Sequence, residues 1–247
     1  EWVGWWPVFV SFFLNTYYVM IMSWAVCYMG FSLFLSWETA GIALAEAVPQ
    51  FFNTFLGLTG GPLEFGSFNL LPYFVSSVTW IAVFFILHKG VRRVSKVVYF
   101  TVTIPWLLLV ILAIRGLTLP GAVEGLNQYL TPDLSALGEA SIWVAAFGQV
   151  AFTLSIGTGV MYAYGSYLPK KSDITNDAFI TLFADAGTAF FAGFAIFSVI
   201  GYMIYATGAV PPIGGLGLAF QTYPAVVSLM PIGQKATGFI FFLCCGV

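Results

Sequence analysis

The sequence predicts an all-α membrane protein of about six transmembrane segments, one of them broken. Composition is the first support: 60% of the 247 residues are hydrophobic and 7% are charged, with a mean hydropathy of +0.95, far from soluble globular chains. Charge distribution is the second. Residues 2–37, 65–87, 97–114 and 140–169 contain no Asp, Glu, Lys or Arg, and between 178 and 234 the sole charged residue is Asp185. The third is the stretch Trp143–Tyr167. It is apolar enough for hydrocarbon, yet Thr153, Ser155, Gly157, Thr158 and Gly159 crowd its middle. Glycine costs about 1 kcal/mol in a helix interior, and closely spaced hydroxyls compete for backbone hydrogen bonds. Irregular backbone at membrane depth is tolerated only where protein buries it or it lines a cavity, so this break is the first candidate for a binding site.

A span needs ~20 apolar residues, which places helices near 6–35, 69–87, 97–114, 141–168 (broken) and 178–206, with a sixth starting near 233. The ~31 residues from Trp6 to Trp37 make a helix of ~46 Å, longer than the bilayer core, and imply tilt or protrusion. Trp2, Trp5 and Trp6 at one end and Trp37 at the other suit the two interfaces. Residues 36–69 form a long connection with a short helix around 39–55. Residues 115–141 read as a loop, with turns at Leu119-Pro120-Gly121 and Thr131-Pro132-Asp133. Residues 207–231 hold Pro211, Pro212, Gly214, Gly215 and Gly217 but stay apolar, so this loop is expected to fold back into the outside mouth of the protein.

Six of the eight Lys and Arg fall in two loops separated by two spans: Lys89, Arg92, Arg93 and Lys96, then Lys170 and Lys171. The positive-inside rule makes these loops and the chain start cytoplasmic. Glu38, Glu46, Glu64, Glu124, Asp133 and Glu139 then face outside. The 2–37 run is too long, and lacks the basic start, for a signal peptide. Cys27, Cys244 and Cys245 lack metal-ligand spacing and read as small packing residues, and His88 as an interfacial residue. No zinc motif, phosphate loop or nucleophile–base pair supports an enzyme, and the net charge of −2 leaves no nucleic-acid footprint. The expected surroundings are the lipid bilayer. The short last helix and the start without Met suggest an interior piece of a larger membrane protein.

Particular segments carry a family resemblance. They are Asn15-Thr16-Tyr17-Tyr18-Val19, Ser36-Trp37, Lys89-Gly90, Tyr129 to Asp133 (YLTPD), Trp143 to Gln149 (WVAAFGQ), Phe152 to Gly159 (FTLSIGTG), Gly165-Ser166-Tyr167, Ala192 to Phe197 (AGFAIF) and Gly217 to Phe220 (GLAF). In that order they resemble the neurotransmitter:sodium symporters, especially prokaryotic amino-acid transporters. The resemblance implies a leucine-transporter-like fold, an inverted repeat of five plus five helices with midplane binding at broken helices, which is among the standard examples of that architecture. It implies that residues 1–247 are one partial transmembrane domain, from the third helix to the start of the eighth.

It also implies roles. Tyr18 matches the tyrosine whose hydroxyl helps hold a substrate carboxylate, and Leu14 an apolar lining residue. Phe152 resembles the aromatic lid, and Thr153 a residue giving its carbonyl and hydroxyl to the first sodium. Ser155 and Thr158 would face the substrate side chain. Thr158 stands where many members carry bulk, which favours a larger substrate. Asp185 stands where most have an asparagine on the first sodium, and Ala189, four residues on, where chloride-dependent members have a serine. The leading expectation is sodium-coupled symport, by alternating access, of a hydrophobic or aromatic amino acid, with Na+ as a co-transported ion and without chloride. A proton-coupled carrier using Asp185, or a non-transporting accessory membrane protein on the same fold, are the alternatives.

Overall fold

The computed structural model describes residues 2–58, 66, 69–88, 90–208, 215–230 and 232–246. Glu64, Lys89, Pro211, Pro212 and Gly214, used above for topology and turns, lie outside them. No strand occurs among the described residues. Helix α1 spans Trp2–Ser32, α2 Leu44–Leu56, α3 Leu70–Leu87, α4 Val91–Leu117 and α5 Ala122–Leu130. After a 3₁₀ turn at Leu134–Gly138 come α6 (Ala140–Thr153), α7 (Val160–Tyr167) and α8 (Ile174–Thr207). The short α9 (Gly215–Gly217), a π turn at Leu218–Thr222, α10 (Tyr223–Leu229) and α11 (Gln234–Gly246) complete the order. Four of these, Trp2–Ser32, Leu70–Leu87, Val94–Leu117 and Ile174–Thr207, are long and apolar enough to cross a membrane. The fifth expected span is divided into α6 and α7, and the sixth is the 13-residue α11.

Local chemistry sets the helix ends. Asn69 caps α3 by accepting from the Leu71 amide at 3.1 Å, while its own amide donates to the Phe55 carbonyl at 2.7 Å. Gly57 ends α2 at φ 73°, and the Leu58 amide reaches back to the Asn53 carbonyl, the 6→1 bond of a Schellman motif. Asp133 starts the 3₁₀ turn by accepting from the Ser135 hydroxyl and amide. Those bonds favour the charged form and hold its carboxyl below the usual carboxylate range.

The chain divides into two compact units, Glu1–Tyr18 with Leu130–Gly193, and Val19–Tyr129 with Phe194–Val247. The second holds the buried core, centred on Tyr28. The rings of Phe31, Trp37, Phe51, Phe55, Phe220 and Phe242 surround Tyr28 at 5.1–6.0 Å. Of the expected apolar loop, Thr222 to Val227 are buried in this unit. Tyr202 donates to the Leu229 carbonyl, and the Trp37 indole donates to the Ser228 hydroxyl at 2.9 Å. In the first unit the apolar sides of α6, α7 and early α8 face outward, with Phe147, Tyr162 and Phe183 largely exposed. Many large apolar side chains exposed along the same helices belong against lipid or further protein.

Three expectations need correction. Trp37 is not an interfacial anchor: it is 0% exposed and its N–H is satisfied inside the core. The 115–141 region is not all loop, because α5 forms and docks on α8. A Cβ added to Gly125 would lie 1.9 Å from the Phe197 carbonyl oxygen and 2.8 Å from the Gly201 nitrogen, so only glycine permits this approach. Tyr129 then stacks on Phe197 at 4.6 Å. Finally, α8 begins at Ile174 rather than near 178, because Asp173 accepts the Asn176 amide at 3.2 Å and starts the helix early.

Candidate functional site

The site forms at the break. Helix α6 ends at Thr153 and α7 begins at Val160, leaving residues 154–159 as irregular backbone. Ser155 (φ 54°), Gly157 (φ 80°) and Gly159 (φ 83°) all take left-handed conformations. The glycines do so freely, whereas Ser155 does so at a cost of about 1–2 kcal/mol. The Ile156 amide returns to the Ala151 carbonyl at 2.8 Å, and the Thr158 amide to the Ser155 carbonyl at 3.5 Å. The Thr158 hydroxyl also donates to Ser155, at 2.8 Å. Among the described residues the carbonyls of Thr153, Leu154, Ile156 and Gly157 accept no bond outside the helices. Free carbonyls at the end of α6 favour a cation, and free amides at the start of α7 favour an anion.

A cavity of about 310 Å³ opens beside the break, at the lower end of small-molecule pockets. It is lined by Leu14 and Tyr18 from α1, Phe152 and Thr153 from α6, and Ser155 and Thr158 from the break. The structure thus brings together the five residues expected at the substrate, Leu14, Tyr18, Phe152, Ser155 and Thr158, with Thr153, expected at the first sodium. Asp185 of α8 does not line the cavity, but the Thr153 hydroxyl donates to its Oδ1 at 3.4 Å. The two residues named for the first sodium are therefore neighbours. Asp185 is the twelfth residue of α8, eleven residues, or ~16 Å, from its start. That is deeper than the expected helix start near 178 would place it.

Ser11, Asn15 and Val160 also line the cavity and were not anticipated. A signal for two of them existed. Ser11, Leu14, Asn15 and Tyr18 stand at i, i+3, i+4 and i+7, one helical stripe, so accepting Leu14 and Tyr18 implicated the other two. The Asn15 amide donates to the Ser11 carbonyl at 2.9 Å, and the Ser11 hydroxyl donates to the Thr158 carbonyl. The described residues hold no cluster of three or more His, Cys, Asp or Glu placed to bind a metal. The cation-competent atoms here are hydroxyls, carbonyls and a single carboxylate, all hard oxygen donors.

An uncharacterised sodium-dependent transporter of Methanocaldococcus jannaschii is 36% identical, over 98% of this chain and 49% of its own length. A creatine transporter of Torpedo marmorata is 37% identical, over 99% of this chain and 45% of its own. The crystal structure of MhsT in complex with L-phenylalanine matches 99% of the chain and 51% of its own, with a TM-score of 0.76 and 30% identity. The chain therefore spans about half the length of these relatives and has the leucine-transporter-like fold. Residues 42–245, well over half of the chain, match the family described as the sodium:neurotransmitter symporter family. The 247-residue chain, a multi-pass membrane protein by its helices, belongs to the sodium:neurotransmitter symporter family.

Proposed function

We propose that the protein carries out sodium-coupled symport of a hydrophobic or aromatic amino acid by alternating access. The cavity beside the α6–α7 break supports this reading most, because it gathers an apolar wall, a phenol, hydroxyls and unsatisfied backbone in one place. Tyr18 engages the substrate carboxylate. Phe152 closes over the substrate as a lid, while Leu14, Ser155 and Thr158 shape the side-chain end. Thr153 and Asp185 hold a sodium ion, which is cargo rather than a resident cofactor. The phenylalanine complex of MhsT supports a bulky apolar side chain, as does threonine at position 158. Ala189 in place of a serine supports independence from chloride, with the Asp185 carboxylate supplying the fixed negative charge. The protein sits in the plasma membrane, with the start of α4 at Lys96 and the turn at Lys170 and Lys171 cytoplasmic.

Equilibrium binding to the intact purified protein tests this. Radiolabelled L-phenylalanine is titrated in sodium or potassium gluconate, with L-alanine and creatine as competitors. Saturable binding that requires sodium and is displaced weakly by creatine is expected. Binding that ignores sodium contradicts the coupling, and stronger displacement by creatine than by apolar amino acids contradicts the substrate class.

A further inference from the structure

Ser11 behaves differently from the other hydroxyls of its helix. Thr16 and Ser23 donate to carbonyls four residues back, Phe12 and Val19, at 2.9 and 2.7 Å. This is the ordinary habit of helical Ser and Thr in apolar surroundings. Ser11 instead reaches out of its helix to the Thr158 carbonyl. That carbonyl lies where α7 has not yet begun, and no backbone amide outside the helices donates to it among the described residues. A second contact lies next to the first. Gly159 approaches so closely that a Cβ there would lie 3.2 Å from the Cβ of Pro7. Two adjacent residues of the break are thus held against one turn of α1, one by a hydrogen bond and one by close packing.

We infer that Ser11 is a positioning residue, which fixes the Thr158 end of the break and so sets selectivity for the substrate's side chain. The inference rests on the substrate reading above and deepens it. Its logic is local. Thr158 lines the cavity, and its hydroxyl is already committed to the Ser155 carbonyl, so its position depends on its backbone. Losing the Ser11 bond leaves a partly buried acceptor without that partner and frees the backbone to shift. A large side chain that touches position 158 feels the shift, whereas alanine, which stops short of it, feels it less. The Thr153–Asp185 pair lies on the α6 side of the break and keeps its own bond.

The test compares wild type, Ser11→Ala, Ser11→Cys and Ser11→Thr in the intact protein. It reads L-phenylalanine and L-alanine affinity, and hydrogen–deuterium exchange over residues 154–162. Ser11→Ala should weaken phenylalanine about fivefold, the value of one hydrogen bond, and alanine by a clearly smaller factor. Amides in 157–162 should exchange about fivefold faster without ligand. Ser11→Thr should restore both readouts, and Ser11→Cys, a weaker donor, should fall between. Equal losses for both amino acids, unchanged exchange, or failure of threonine to rescue would overturn the role. If wild type binds neither amino acid, the substrate reading fails and takes the selectivity role with it. The exchange arm then separately decides whether Ser11 holds the break.

Discussion

Replacing Asp185 by asparagine probes the proposed ion site with the largest expected effect. The Thr153 hydroxyl and the Asp185 carboxylate are 3.4 Å apart, so a sodium ion shared between them lies within ~4 Å of the negative charge. Attraction at ~4 Å is worth about 4 kcal/mol at an effective dielectric of ~20, nominally a thousandfold in affinity. The ion gives up hydration to bind, and the asparagine carbonyl remains a dipolar ligand. The net loss expected is therefore about 1.4–2.8 kcal/mol, ten- to hundredfold in half-saturating sodium. An unbound carboxylate at this depth costs at least ~2.5 kcal/mol by insertion scales. Asp185→Asn should accordingly stabilise the sodium-free protein while shrinking the stabilisation that sodium confers. Thermal unfolding of the intact protein in detergent, with and without sodium, reads both, and uptake in chloride or gluconate reads the consequence. Transport should be lost, or become chloride-dependent when Ala189→Ser is added. Full uptake by the single variant in chloride-free buffer, with unchanged half-saturating sodium, would refute the reasoning.

Other outcomes follow from named contacts. Thr158→Phe fills part of the ~310 Å³ cavity and should weaken tryptophan about tenfold more than alanine, a difference of ~1.4 kcal/mol in competition binding; equal losses for both would remove Thr158 from the wall. Gly125→Ala drives a Cβ into the Phe197 carbonyl and should destabilise the protein by about 1–3 kcal/mol through overpacking, read as a lower melting temperature, whereas an unchanged value would mean that α5 does not dock there. In intact cells an impermeant thiol reagent should label a cysteine placed at Glu124 but not one at Lys171; the reverse pattern would invert the orientation.

The break was legible because its residues contradict their setting. Glycines and hydroxyls packed into an apolar run have no structural use as a plain span, and the helix does end at Thr153. The partners of the break were less legible. Ser11 sits in a helix where bonding back to its own backbone is the default, and only three-dimensional contact shows that it does otherwise. Helix α5 escaped because nine residues with an internal glycine lack the length that periodicity needs. The same glycine is what lets α5 reach α8. Trp37 misled for a different reason: a tryptophan ending a long apolar run reads as a membrane-interface anchor, and composition does not distinguish lipid headgroups from an aromatic core, here Tyr28 and Phe242. Asp185 lies deeper in α8 than a start near 178 implies, because the helix begins at Ile174 by an Asp173 cap, four residues ahead of the apolar run.

Gradient-driven flux tests the central claim most directly. The intact protein is reconstituted in liposomes, and L-phenylalanine uptake is followed under an inward sodium gradient, an inward proton gradient without sodium, or neither, all in gluconate. Sodium-coupled symport predicts uphill accumulation with the sodium gradient alone, collapse of that accumulation when a sodium ionophore is added, and no requirement for chloride. Accumulation driven by the proton gradient without sodium, or no net flux despite sodium-dependent binding, would contradict the account.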